Sequence, residues 1–299
     1  MRHSDRIRPS VRAAAITLLG TLIAVTSFTG AGPVRAVTGG VPTPSGSAPW
    51  FATVLFSESF TARLPPMQRA LLADPVNRAH CGGALVSPTR VVTAAHCVID
   101  GHGRPLRRTD LRVRLGDPPL SSPQRSLSIT RIEASPYFRL IDTGNGPDAA
   151  AASSDVAVIT LARPTAATPL RIGGTPTPGT RVRLYGHGYR TGHGPVWRQR
   201  TDRLMQADLT VLTPQRARRH WSGAAALPDL VYVGSPTAAP GFGDSGGPVV
   251  ALRGRAPVLV GIFSFSSEVI DGRAADTPGF AAATGTGALP SGWTGQRDA

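Results

Sequence analysis

The chain has 299 residues, 41% of them hydrophobic, which is enough to bury a full core and too apolar for disorder throughout. Its formal net charge of +14 comes from arginine alone, since lysine is absent, and the arginines are scattered along the sequence. Nucleic-acid binders gather such charge on one stripe and interleave aromatics; this sequence does neither, so we expect no nucleic-acid partner and a general surface bias toward acidic partners or an anionic surface.

The first segment reads as an export signal. Arg2, Arg6, Arg8 and Arg12 precede an apolar run from Ala13 to Phe28, and Val34-Arg35-Ala36 fits a signal-peptidase site. Residues 1–36 are therefore the signal peptide, and a secreted mature protein starts at Val37. A retained membrane anchor is the alternative, because the apolar run approaches spanning length although Gly and Thr dilute it. No later stretch is apolar enough to span a bilayer, so no membrane partner is expected once the signal is removed.

After Val37-Thr38-Gly39-Gly40 and a Pro/Ser/Gly turn comes Pro49 to Phe56, rich in aromatic and β-branched residues and bounded by breakers, a strand signal. Residues 57–79 form a polar insertion with a short helix over Met67 to Ala73, expected as a surface loop with no assigned role. Strand signals resume over Gly82–Val86 and Arg90–Ala95, separated by the turn Ser87-Pro88-Thr89, and deliver His96 beside Cys97.

Cys81 and Cys97 are the only cysteines. In an exported chain an even pair is most simply one disulfide, closing a loop of about sixteen residues. Zinc held by His80, Cys81, His96 and Cys97 is the rival. Neighbouring residues in an extended chain point to opposite sides, however, and the usual C-x₂₋₄-C spacing is missing, so no metal is expected.

Leu111–Gly116 alternates apolar and charged residues, as a half-buried strand does. Ser128–Ile132 follows. Asp155 then opens the apolar strand Val156–Leu161, where a partly buried carboxylate needs a partner. It is a better orienting group than Asp142 or Asp148. Arg163–Thr180 is Pro-, Gly- and Thr-rich and divides the chain into halves of similar size, 37–165 and 166–299. Beyond it, Arg181–Gly186, Leu204–Leu212 and Val258–Phe265 read as strands. Helical periodicity is scarce, so the fold class is all-β, of sandwich or barrel type.

Gly241-Phe242-Gly243-Asp244-Ser245-Gly246-Gly247-Pro248 holds a serine between glycines, where the chain turns tightly and its amides stay uncovered. That suits a nucleophile whose neighbouring N–H groups bind an oxyanion, although the same residues also compose ordinary turns. Gly243-Asp244-Ser245-Gly246-Gly247 also fits the Gly-x-Ser-x-Gly elbow of α/β-hydrolases. That fold needs a histidine after the serine, and here every histidine precedes Ser245. The remaining order is His, Asp, Ser.

In that order, Thr93-Ala94-Ala95-His96-Cys97, Asp155-Val156-Ala157-Val158-Ile159-Thr160-Leu161 and Gly243-Asp244-Ser245-Gly246-Gly247-Pro248 resemble the three catalytic motifs of trypsin/chymotrypsin-like serine peptidases, in a secreted bacterial-type member. Val37-Thr38-Gly39-Gly40, Cys81–Val86 and Gly186-His187-Gly188 are lesser matches, the last where the family commonly has Gly-Trp-Gly. The likeness runs from Val37 to Phe280. It implies two six-stranded antiparallel β-barrels with the active site in the cleft between them, the first (37–165) carrying His96 and Asp155 and the second (166–299) carrying Ser245. It also implies a Cys81–Cys97 disulfide bracing the histidine loop. The function implied is serine endopeptidase activity on protein or peptide substrates, by a monomer that needs no cofactor.

In the roles the resemblance carries over, His96 is the base, Asp155 holds its tautomer, and the N–H groups of Gly243 and Ser245 form the oxyanion hole. Asp244 would pair with the freed amine of Val37. Ala239 stands where members that cleave after Arg or Lys have an aspartate. Ser264-Phe265-Ser266 stands for Ser-Trp-Gly, Pro278-Gly279 for the far pocket wall, and Phe242 for the pocket rim. An uncharged pocket for small or medium side chains follows. The chain departs from the family in lacking a closing amphipathic helix, so an irregular tail anchored by Trp293 is expected, and in having Gly241 where a second pocket cystine would begin. These losses keep two alternatives in view: a protease-like binding protein of weak or no activity, and an esterase-like hydrolase on the same fold.

Overall fold

The computed structural model describes residues 37, 39–100, 103–142, 150–189, 200–220, 227, 229–253, 256–266, 279–290 and 292–293. Residues 1–36, expected as a signal peptide, lie outside them, as do Asp148 and Pro278. In chain order the strands are β1 (Val41–Pro42), β2 (Phe51–Phe56), β3 (Ala79–Ser87), β4 (Arg90–Thr93), β5 (Leu111–Leu115), β6 (Ile129–Ala134), β7 (Arg139–Asp142), β8 (Ala150–Ser153) and β9 (Ala157–Leu161). There follow β10 (Arg171–Ile172), β11 (Arg181–Gly186), β12 (Met205–Val211), β13 (Leu230–Ser235), β14 (Pro248–Arg253), β15 (Ala256–Ser266) and β16 (Gly279–Gly285).

The first sheet runs β5-β2-β3-β4-β9-β6, antiparallel throughout. It curls because its two ends meet: Val113 of β5 and Leu127, just ahead of β6, exchange both backbone hydrogen bonds. In the second sheet, β12-β11-β14-β15-β16-β13 closes on itself when β13 pairs back onto β12, leaving β11 to β16 as a six-stranded barrel without a free edge. β10 adds to it in parallel on β15. β1 pairs with β12, so the chain touches the second barrel before it builds the first sheet. Val37, just ahead of β1, is buried in the core of that barrel.

One apolar core fills the curl of the first sheet and runs on into the second, taking in Tyr185, Leu204, Val250, Leu259 and Ile262. Trp50 meets Tyr185 edge to face at 5.0 Å across that seam. Each such fully buried side chain contributes about 1.5–3 kcal/mol. The second barrel holds a core of its own around Leu184, Val233, Val249, Val260 and Phe263.

Residues 57–79 carry two short helices, Glu58–Thr61 and Pro66–Leu71, rather than one over 67–73. The sequence signal for the first was Ser57, whose Oγ caps it by accepting from the Phe60 N–H at 3.1 Å, with Glu58 in the first turn. A third helix at Pro214–His220 also escaped the reading, its apolar periodicity being too short to register. The expected irregular tail instead begins as strand, residues 281–285 completing β16, and passes through a 3-10 turn at Thr286–Ala288 before Arg90 donates to the Trp293 carbonyl at 2.7 Å.

Cys81 and Cys97 are joined, 16 residues apart in sequence. Replacing both, as Cys81→Ser with Cys97→Ser, is expected to lower the unfolding free energy by about 3 kcal/mol through loop entropy. Urea denaturation of the variant beside the oxidised parent measures the difference.

Candidate active site

β4 delivers His96 on a single 3-10 turn, Ala95–Cys97, while Asp155 sits just ahead of β9, the strand paired with β4. The pairing brings the two together. The His96 Nδ1–H donates to Asp155 Oδ2 at 2.7 Å, and the His96 backbone N–H donates to Oδ1 at 2.9 Å. From β15 of the second barrel, Ser264 Oγ donates to the same Oδ2 at 2.5 Å. Ser154 turns the chain into Asp155 with a left-handed φ of 51°, and its N–H is held by the Asp229 carboxylate.

Asp155 has no exposed surface. Burial pushes its carboxyl up, but the His96 charge and three hydrogen bonds outweigh that and leave it below its ordinary value. Burial likewise lowers His96, yet the Asp155 charge and hydrogen bond raise it above its ordinary 6.5. The imidazole side chain keeps 30% of its surface exposed, facing the cleft.

Ser245 lies half-buried in the turn between β13 and β14. A trans peptide points its N–H opposite to its C=O, so fixing a carbonyl aims the next amide. The Phe242 carbonyl accepts from the Tyr189 N–H at 2.8 Å, and the Asp244 carbonyl from the Gly247 N–H at 2.9 Å. The amides so aimed belong to Gly243 and Ser245, and among the described residues neither donates to another group. The Ser245 carbonyl accepts from the Gly82 N–H of β3 at 2.7 Å, tying the turn to the first sheet.

Asp244 points inward and is 1% exposed. Its carboxylate accepts from the N–H groups of Gly188 at 2.8 Å, Gly241 at 3.1 Å and Val37. Gly188 has to be glycine, because a Cβ there would sit 2.5 Å from Asp244 Oδ2. Burial dominates these contacts and raises Asp244 to about 6. Nearby His80 and His187 are both lowered by burial to about 4 and stay neutral. His80 donates from Nε2 to the Cys97 carbonyl at 3.1 Å. Cys81, Cys97 and His96 do cluster, but the two sulfurs are bonded to each other, which removes the thiolates a zinc site would use.

A cleft of about 300 Å³ gathers His96, Asp155, Ser245, Gly241, Phe242, Ser264, Phe265 and Ser266, with Leu140, Ala152 and Phe263. Leu140 and Ala152 come from the paired strands β7 and β8 and were missed, since a short run of leucine, alanine and serine carries no motif. Two expected pocket residues lie off this lining: Ala239 is half-buried at a backbone bridge, and Gly279 opens β16 opposite Ser235. Phe242 stands at the rim, 55% exposed.

A curled sheet and a closed barrel sharing a cleft that holds a buried Asp–His pair and a serine turn define a chymotrypsin-like serine-protease fold. Residues 37–286 match the family model described as Trypsin, and the chain belongs to the trypsin family. It is 33% identical to human Granzyme M over 202 residues, 63% of this chain and 70% of that protein. It is 30% identical to human Kallikrein-14 over 225 residues, 72% and 74% of the two chains. A Trypsin of Saccharopolyspora erythraea is 28% identical over 201 residues, 65% and 78%. Among solved structures, neuropsin, a serine protease expressed in the limbic system of mouse brain, superposes with a TM-score of 0.59 at 23% identity, covering 82% of this chain and 93% of its own.

The electrostatics of the Asp155–His96 pair can be tested without reference to catalysis. Asp155→Asn removes the charge that raises His96 and leaves burial to act alone, so nitrogen NMR of the imidazole should find the His96 pKa dropping from above 6.5 to below it. An unchanged titration would exclude the coupling.

Proposed function

We propose that this chain is a secreted serine endopeptidase that cleaves peptide bonds through an acyl-enzyme on Ser245. The carrying observation is that His96, held by Asp155, and Ser245 line one cleft beside two uncommitted amides. In this reading His96 takes the Ser245 proton as the hydroxyl attacks the carbonyl, and returns it to the leaving amine. Asp155 holds the imidazole and stabilises the imidazolium. The Gly243 and Ser245 N–H groups bind the developing oxyanion, each such donor being worth about 3–4 kcal/mol at the transition state. Water then repeats the sequence on the ester.

Apart from the Asp155–His96 pair the cleft lining carries no charge, which fits small or medium uncharged side chains. Leu140, Ala152, Phe263 and Phe265 are apolar, and the buried Oγ of Ser266 has no partner among the described residues, leaving one hydrogen bond for the substrate. Secretion rests on the basic start, the apolar run from Ala13 to Phe28 and the Val34-Arg35-Ala36 exit. Among the described residues no helix is long and apolar enough to cross a membrane.

A fluorophosphonate probe should label Ser245 stoichiometrically and leave Ser245→Ala unmarked, with peptide hydrolysis lost in step. A binding protein would take no label, and an esterase would take label while sparing peptides. The acid limb of kcat/KM should lie above 6.5, where His96 loses its proton. Arg or Lys dominance in a peptide library would refute the pocket.

The Val37–Asp244 pairing has its own test. In the uncut chain a carboxyl raised to about 6 contributes stability that is full below its unfolded value and lost as pH rises through the folded one. A free α-ammonium at Val37 would depress the same carboxyl and reverse the sign, adding stability above the unfolded value that is lost on acidification. Thermal midpoints of the two forms should diverge between about pH 4 and pH 7; parallel curves would reject the pairing.

A further inference from the structure

Arg200 is a cation that the proposed mechanism does not use. It is 7% exposed and is not among the residues that line the cleft. Its Nη1 donates to the Gly243 carbonyl and to the His187 carbonyl, both at 3.0 Å. The guanidinium carbon stacks 4.5 Å from the centroid of the Tyr189 ring. Tyr189 and Arg200 are themselves paired as a backbone bridge, and the Thr201 N–H donates to Gly188. Contact with Gly243 is close enough that a Cβ there would stand 2.9 Å from both Nη atoms, at a φ of 85° that already favours glycine.

These contacts complete an account of the turn. Of four successive carbonyls, Phe242 is held by the Tyr189 N–H, Asp244 by Gly247 and Ser245 by Gly82. The Gly243 carbonyl, in the peptide plane between the two oxyanion amides, is the one held by a side chain. Arg200 also steadies Tyr189, whose N–H fixes the plane that carries the Gly243 amide. Its charge reaches further, since it pulls Asp244 down against burial and pushes His80 down. Nothing in the motifs announces it: the residue lies 43 positions before Gly243 and after a segment outside the described residues.

We propose that Arg200 is a positioning residue for the oxyanion hole, clamping the Gly243–Asp244 peptide and, through Tyr189, the Phe242–Gly243 peptide so that both amides face the cleft. The proposal rests on the peptidase reading for its catalytic consequence and on geometry alone for the clamp.

The test uses the chain starting at Val37, with Arg200→Met, which keeps bulk and removes charge and donors, and Arg200→Lys, which keeps charge and can reach one carbonyl. Met should lower kcat about tenfold to a hundredfold with KM little changed, and weaken a peptide boronic acid, whose tetrahedral adduct needs the oxyanion hole, by a similar factor. Lys should recover part of both. Amide exchange across residues 241–247, followed by mass spectrometry, should quicken in Met while the thermal midpoint moves little. Unchanged kcat and exchange would overturn the proposal, as would a loss confined to KM or one that tracks the thermal midpoint across both variants. If the parent takes no fluorophosphonate, the peptidase reading fails on its own, and the exchange comparison still decides whether Arg200 holds the turn.

Discussion

A carboxylate without exposed surface stays ionised only where donors surround it, and Asp155 draws its donors from both sheets. His96 comes from the end of β4 and Ser264 from β15, so the ion is satisfied only when the curled sheet and the closed barrel are docked. Leaving such a charge short of a donor costs more than most single packing defects. The site is therefore a condition of the docking as well as a product of it. The apolar seam of Trp50 and Tyr185 supplies non-directional adhesion, and Asp155 supplies the register.

Asp244 poses the same problem with a different answer. Backbone amides surround it and no cation bonds to it directly among the described residues, which leaves it close to half-protonated near pH 6. One buried carboxylate is thus settled by a side-chain network and the other awaits a stronger partner. Both stand within a few residues of the cleft, so the order of the turn and the charge state of the interior are linked.

Much of this was legible in the sequence, for reasons that differ by residue. The β4 and β9 strands announced themselves by apolar β-branched runs that placed His96 and Asp155 at their ends, and the resemblance of three motifs to a known family singled the two out. Ser245 was marked by the glycines its turn requires. Cys81 and Cys97 were a pair by arithmetic. What escaped was tertiary in origin: Leu140 and Ala152 reach the cleft from the paired β7 and β8 without a motif, and β1 pairs with β12, far along the chain. Local pattern reports which face of a strand is buried but is silent on which distant side chain fills a given carbonyl, and Arg200 is of that kind.

The burial of Val37 has a chemical corollary in a chain without lysine. Such a protein has a single primary amine, its own α-amino group, and offers reductive-alkylating reagents no other target. With cleavage before Val37, that amine would lie in the second core, where 1% of the residue meets solvent. Amine chemistry on the folded protein would then become a direct meter of how often this end of the chain leaves its socket, free of the background that lysines impose on most proteins.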